Sequence, residues 1–109
     1  MGVDRVLQMI GLSAKAGKVK SGEFAVEQSV KANKAYLVIV ASDASDNSKK
    51  SYSDMCAYYD VPLFFYGNKE TLGACVGKEF RASVAIMDEN LAKAVADKIQ
   101  LSADMMEDK

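Results

Sequence analysis

At 109 residues, half of them hydrophobic, the chain has room for one domain with its own core, and none for a catalytic domain beside a binding domain. Histidine and tryptophan are absent, which removes the commonest general base and the commonest metal ligand. Fourteen Lys and Arg against fifteen Asp and Glu leave a net charge of −1, so the totals do not describe a strongly basic nucleic-acid module. The layout is less even than the totals: residues 1–50 hold eight bases and five acids, whereas residues 88–109 hold six acids and three bases. That asymmetry reads either as a basic face and an acidic tail or as ordinary solvated surface.

In chain order, the first helix starts at Asp4 and buries Val3, Val6, Leu7, Ile10 and Ala14, with Gly17 as its stop. Lys18–Lys20 is a short strand. Ser21 is the expected N-cap of a second helix, with Glu23 in its first turn and Ala25, Val26, Ser29 and Val30 inward. Tyr36–Ala41 is β-branched and apolar throughout and too short for a helix, which fits a strand covered on both faces. Ser45 or Asp43 caps a third helix that turns Tyr52, Met55, Cys56 and Tyr59 inward and ends at Asp60-Val61-Pro62. Leu63–Tyr66 is a third strand, stopped by Gly67-Asn68. Asn68 caps a short helix burying Leu72, Cys75 and Val76, which Gly77 closes. Ala82–Met87 is the fourth strand, and Asp88 caps a last helix with Leu91, Ala92, Val95, Ala96 and Ile99 inward. Residues 104–109 are expected to fray.

Strict alternation of helix and strand predicts one α/β domain over 1–109. It is a three-layer α-β-α sandwich of about five helices on both faces of a roughly four-stranded mixed sheet, with several parallel crossovers. Ligands of such sheets gather where loops leave strand ends or open helices, here 18–23, 42–46 and 77–82. The N-terminus reads as neither a signal peptide nor a membrane span, and a cytoplasmic protein is expected. Cys56 and Cys75 have no spaced thiol or imidazole partner, so they read as buried free thiols, with no metal and no cofactor.

Catalytic motifs are missing: there is no GxSxG elbow, no GxGxxG and no Walker loop. Asp43 at a strand end is a helix cap or, less simply, an acid. An enzyme using Asp43 or Cys75 is therefore the weakest reading. The loop Gly17-Lys18-Val19-Lys20-Ser21-Gly22-Glu23 sets two lysines just ahead of a helix start, where phosphate charge can be neutralised. Glu23 is either an acceptor for base-edge donors or a stabilising first-turn acid. The loop Gly77-Lys78-Glu79-Phe80-Arg81-Ala82 mixes cations and an aromatic, and Phe80 is either a stacking platform or a core residue at a strand start.

Four segments in combination (AKAGKVKSGE, KANKAYLVIVASDAS, the Cys-x-x-Tyr-x-Val-Pro of Cys56–Pro62, and LGACVGKEFRASVAI) resemble the kink-turn RNA-binding ribosomal-protein family of L-seven-Ae and L-thirty-e type. The bacterial YlxQ-type members are the nearest in pattern, and the likeness runs from about Leu7 to Ile99. The resemblance implies an α-β-α sandwich that binds a kinked RNA helix with sheared G·A pairs beside a bulge. By position it puts Lys20, Ser21, Gly22 and Glu23 at the G·A pairs, Asp43, Ala44 and Ser45 at the junction after the central strand, and Lys78, Glu79, Phe80 and Arg81 over the bulge.

The chain departs from the family pattern at three places. Gly22 stands where archaeal members have Asn, Val26 stands where they have Lys, and the last loop is charged where theirs is apolar, closer to the L-thirty-e version. The expected function is non-enzymatic binding of structured, ribosome- or translation-associated RNA. Lys15, Lys18, Lys20 and Lys34 would neutralise phosphate, and Lys49 and Lys50 would extend the basic face. RNA is the expected partner and ribosomal proteins are further candidates; no membrane and no small-molecule substrate are expected. The alternative is a protein–protein adaptor on the same fold, favoured by the acidic last helix. RNA binding predicts that the three loops converge on one positive face; an adaptor predicts an exposed apolar patch.

Overall fold

The computed structural model describes residues 4–107, and their side chains as far as 101. Nine elements follow in strict alternation: α1 (Arg5–Lys15), β1 (Val19–Ser21), α2 (Glu23–Lys31), β2 (Leu37–Val40), α3 (Asp46–Tyr59), β3 (Leu63–Phe65), α4 (Lys69–Cys75), β4 (Ser83–Ile86) and α5 (Glu89–Glu107). The expected α-β-α sandwich is thereby observed. The backbone of 104–107 continues α5, while residues 108–109, like Val3, lie outside the described residues.

The strands form one mixed sheet in the order β1-β4-β2-β3. β4 runs antiparallel to both β1 and β2, and the one parallel pair of neighbours is β2 and β3, joined through α3. Several parallel crossovers were expected from the alternation, and there are two: β1–α2–β2, which passes over β4, and β2–α3–β3. A helix between two strands does not make them neighbours, because β4 inserts between β1 and β2.

Burial explains why the two central strands read as continuous apolar runs. Every residue of β2 and β4 is buried. Alternation sends Leu37, Ile39, Val84 and Ile86 into a core beneath α1, α4 and α5, with Val6, Ile10, Leu72, Val95 and Ile99. Val38, Val40 and Ala85 face the opposite core beneath α2 and α3, with Val26, Val30, Tyr52 and Cys56. Full burial of one such aliphatic side chain stabilises by about 1.5–3 kcal/mol. The buried polar groups are paired: Ser13 and Ser29 hydroxyls donate to carbonyls one turn back, and Ser83 donates to the Tyr52 hydroxyl at 2.7 Å. Among the described residues no helix is long and apolar enough to cross a membrane.

Caps fix where the helices stop. Asp4, Ser45, Asn68 and Asp88 each accept from a backbone N–H three residues on. Asp60, at φ 60°, closes α3: the Val61 N–H donates to the Cys56 carbonyl at 2.8 Å, a left-handed stop. One assignment needs correction and one alternative is decided. Ser21 does not cap α2; it is the last residue of β1, paired with Val84, and the cap position is Gly22. Asp43 does not cap α3, which Ser45 does; its Oδ1 accepts from the Lys69 N–H at 2.9 Å, at the start of α4.

Candidate functional site

Strand direction decides which loops meet. β1, β2 and β3 all finish, and β4 starts, at one end of the sheet. Six hydrogen bonds knit that end together. Gly22 N–H donates to the Ser83 carbonyl (3.1 Å) and Ala41 N–H to Ala82 (2.8 Å). Ser42 N–H donates to Gly67 (2.9 Å), Tyr66 N–H to Val40 (3.0 Å) and Arg81 N–H to Lys69 (3.0 Å). The Lys69 N–H donation to Asp43 completes the set. Segments 21–23, 42–45 and 78–82, far apart in sequence, are thereby neighbours.

Two glycines make the junction possible. Gly73 is buried inside α4, and a Cβ there would lie 2.6 Å from the Glu79 carbonyl oxygen, so only a bare Cα lets the 78–81 segment fold back over the helix. Gly22 holds φ 93° and ψ 158°, a combination almost confined to glycine. Arg81 lies across it: its Nε donates to the Ser21 hydroxyl at 3.2 Å and its Nη1 to the Phe80 carbonyl at 2.8 Å.

Phe80 is 61% exposed, which decides the open alternative: it is a surface ring, not a core residue. It lines an open cleft of about 560 Å³ with Asp43, Asn68, Lys69 and Glu70. Lys78 and Glu79 are exposed beside it, as are Asp43 and Ser45. Glu23 is exposed at the first position of α2 and belongs to neither of the two ion pairs among the described residues, Lys31–Glu27 and Lys50–Asp54. Lys20 is exposed on β1, level with Ala85.

Ala44 stays at the junction by its backbone, but its side chain is 7% exposed and packs in the α2–α3 core. Several other expected site residues stand elsewhere. Lys18 and Lys34 are exposed at the other end of the strands. The Lys18 carbonyl accepts from Met87 N–H, and the Tyr36 N–H, two residues after Lys34, donates to Ile86. Three residues of β1 and four of β2, roughly 10–13 Å at 3.3 Å each, separate that end from the junction. Lys15, in the last turn of α1, belongs with them. Lys50 is turned along α3 into its pair with Asp54. Val26 is fully buried, so the position that carries Lys in the archaeal pattern faces the core.

The expected uniformly positive face is also corrected. Lys20, Lys49, Lys69, Lys78 and Arg81 stand among Glu23, Asp43, Asp46, Glu70 and Glu79, and the end is mixed in charge.

Two features escaped the sequence. The β3–α4 turn brings Asn68 and Lys69 into the cleft; reading β3 as the parallel neighbour of β2 would have found it, since parallel strands share a carboxyl edge. Phe24, next to Glu23, is 74% exposed, and Lys49 lies 5.7 Å from the ring centre of half-exposed Phe65, both at this same end. The cysteines stand apart from the cleft. Burial pushes the Cys56 thiol up to about 11, and Cys75, raised by burial and then by Asp4, donates to the Leu7 carbonyl, so neither is a thiolate nucleophile at neutral pH.

Comparison with known proteins gives this geometry a context. Residues 4–96 match the model of the ribosomal protein L7Ae/L30e/S12e/Gadd45 family. The chain is 39% identical over 84 residues to the RNA-binding protein YlxQ of Bacillus subtilis (strain 168), covering 77% of this chain and 84% of that one. Among solved structures, a protein of unknown function from Bacillus halodurans C superposes with a TM-score of 0.86 at 32% identity, covering 90% of this chain and 99% of the other. The Giardia lamblia 15.5kD RNA binding protein superposes with a TM-score of 0.73 at 26% identity, covering 86% and 81%.

Proposed function

Because the chain belongs to the ribosomal protein L7Ae/L30e/S12e/Gadd45 family, we propose that it binds structured, ribosome- or translation-associated RNA, without catalysis, through the end of the sheet where the 21–23, 42–45 and 78–82 segments meet. The observation that carries the reading is this convergence, with an exposed aromatic, a guanidinium and an unpaired carboxylate in one place. RNA that presents only phosphates needs cations alone. RNA whose helix is interrupted presents base edges and unstacked faces as well. The mixed charge of this end suits the second kind. Phe80 offers a π-face, Glu23 accepts from base amino and imino groups, and Lys20, Lys69 and Lys78 meet the backbone. A kink-turn, with non-Watson–Crick pairs beside a bulge, is the RNA of that description that the family resemblance implies.

Titration of a kink-turn hairpin in a gel-shift or anisotropy assay tests the proposal. Glu23→Ala and Lys20→Ala are expected to weaken binding with no change in thermal midpoint. Loss of the phosphate contact in Lys20→Ala is expected to reduce the salt slope by about one. Failure of the wild-type protein to prefer the hairpin over a fully paired duplex sinks the reading.

The adaptor reading draws on one observation, an open groove of about 420 Å³ between α2 and α3 where Tyr58 is 81% exposed. Tyr58→Ala is expected to leave RNA affinity unchanged; loss of co-purifying protein partners in that variant, with RNA affinity retained, would favour the adaptor.

A further inference from the structure

The geometry points to Arg81 as a preset guanidinium fork that reads the N7–O6 edge of a guanine, taking the place of the side chain that Gly22 does not have; the assignment rests on the RNA-binding reading above. The backbone at Gly22 has the φ and ψ of a glycine-only region, so this point of the surface is closed to an ordinary side chain. Arg81 occupies the space instead. A Cβ built on Gly22 would lie 3.6 Å from the Arg81 Nε and 3.7 Å from its Cδ.

The guanidinium is tied at two points, Nε to the Ser21 hydroxyl and Nη1 to the Phe80 carbonyl. Of its five N–H donors two are used, and three remain, both of those on Nη2 among them. A fork held this way loses little rotamer freedom on binding, and its free Nη1 and Nη2 donors match two acceptors side by side. Guanine N7 and O6 are such a pair, and a phosphate is another.

Glu23 decides between them. It follows Gly22 directly, is exposed, and is in no ion pair with Arg81 or any other described cation. A carboxylate beside the fork repels phosphate. Against a base edge, donor and acceptor next to each other are what a mixed acceptor-and-donor pattern requires. The major groove of regular A-form RNA is too narrow for side chains, so the guanine read this way lies where non-Watson–Crick pairs or unpaired nucleotides open the helix.

The test uses a hairpin RNA with tandem G·A pairs beside a three-nucleotide bulge, and the same hairpin with 7-deazaguanine at those two guanines. Anisotropy titrations of both are run with the wild-type protein and with Arg81→Lys, which keeps the charge but not the fork. The wild-type protein is expected to bind the deaza hairpin roughly tenfold more weakly, in line with one bidentate base contact. Arg81→Lys is expected to bind the natural hairpin about as weakly as that and to lose nothing further on the deaza one. Wild-type affinity that is equal for the two hairpins overturns the assignment and leaves Arg81 as a tie between β1 and the 78–81 segment. Wild-type protein that binds neither overturns the RNA reading itself, and the assignment with it. Should Arg81→Lys melt early, the deaza comparison in the wild-type protein alone decides.

Discussion

The two ends of the sheet are made from the same strands and differ in which helix ends they collect. At the junction end stand the starts of α2, α3 and α4, each just after a strand or its turn, and the start of α1, where Asp4 accepts from the Tyr66 hydroxyl. At the other end stand the closures of α1, α2 and α3, through Gly17, Asn33 and Asp60, all at positive φ, with a single start, that of α5, whose first turn Asp88 caps. Helix starts expose N–H donors and a positive dipole end; helix closures expose carbonyls. The far end holds the exposed Lys18 and Lys34 and, separately, an open cleft of about 340 Å³ lined by Tyr36, Leu37, Pro62, Glu89, Ala92, Lys93 and Ala96. Formal charge alone would favour the lysine-bearing end for RNA. The backbone polarity, the exposed Phe80 and the tied Arg81 favour the other. On the proposed reading, counting charges along a chain would misplace a site whose ligand is recognised by its base edges.

Perturbations of either end would break this contrast or sharpen it. The largest effect is expected from Gly73→Ala, whose new Cβ meets the Glu79 carbonyl and lifts the 78–81 segment. Overpacking of this kind costs about 1–3 kcal/mol, read as a lower thermal midpoint, and RNA affinity should fall with it. Full affinity in a protein carrying that change would detach the segment from the site. Phe80→Ala is expected to weaken RNA binding by about 1–3 kcal/mol, the worth of a stacked base, with the midpoint unmoved because the ring is exposed. A fall in midpoint without loss of affinity would return Phe80 to a packing role.

The Asp4–Tyr66 contact beside the junction gives a pH signature. Burial first, and the Asp4 carboxylate second, push the Tyr66 hydroxyl up to about 12. An unfolded tyrosine ionises near 10. Across about pH 10 to 12 the unfolded chain gives up this proton before the folded one does, so the Tyr66 contribution is complete below that window and is lost as pH rises through it. Urea unfolding across that range should show stability falling in the wild-type protein and a flatter profile in Tyr66→Phe; parallel profiles would remove the contact from the account. The smallest effect is expected at the far end. Lys34→Ala should leave RNA affinity within about twofold, whereas Lys78→Ala should lower the salt slope by about one. Equal losses from the two would erase the distinction between the ends.

Much of the fold was readable in the residues. Periodicity located all nine elements, since a stripe at i, i+3, i+4 or an unbroken apolar run of six leaves few alternatives. Asn68 and Asp88 were visible as caps for the same local reason. Pairing was less visible. Ser21 has the chemistry of a cap and serves as a strand residue, because its partner Val84 is 63 positions away and the φ at the next residue demands Gly22. Asp43 stood beside Ser45 as a candidate cap of α3; Ser45 takes that role and Asp43 serves α4, 26 positions on. Phe80 could not be assigned to core or surface until the fold-back over Gly73 was known.

Local periodicity and turn chemistry, set by contacts a few residues apart, were sufficient to fix the α-β-α alternation, both apolar strand interiors and the two loops richest in candidate ligand residues. Which loops became neighbours, which lysines were left behind at the far end, and which donors of Arg81 stayed free depended on β4 inserting antiparallel between β1 and β2. That choice is made by burial and hydrogen bonding between distant segments, and no window of sequence contains it.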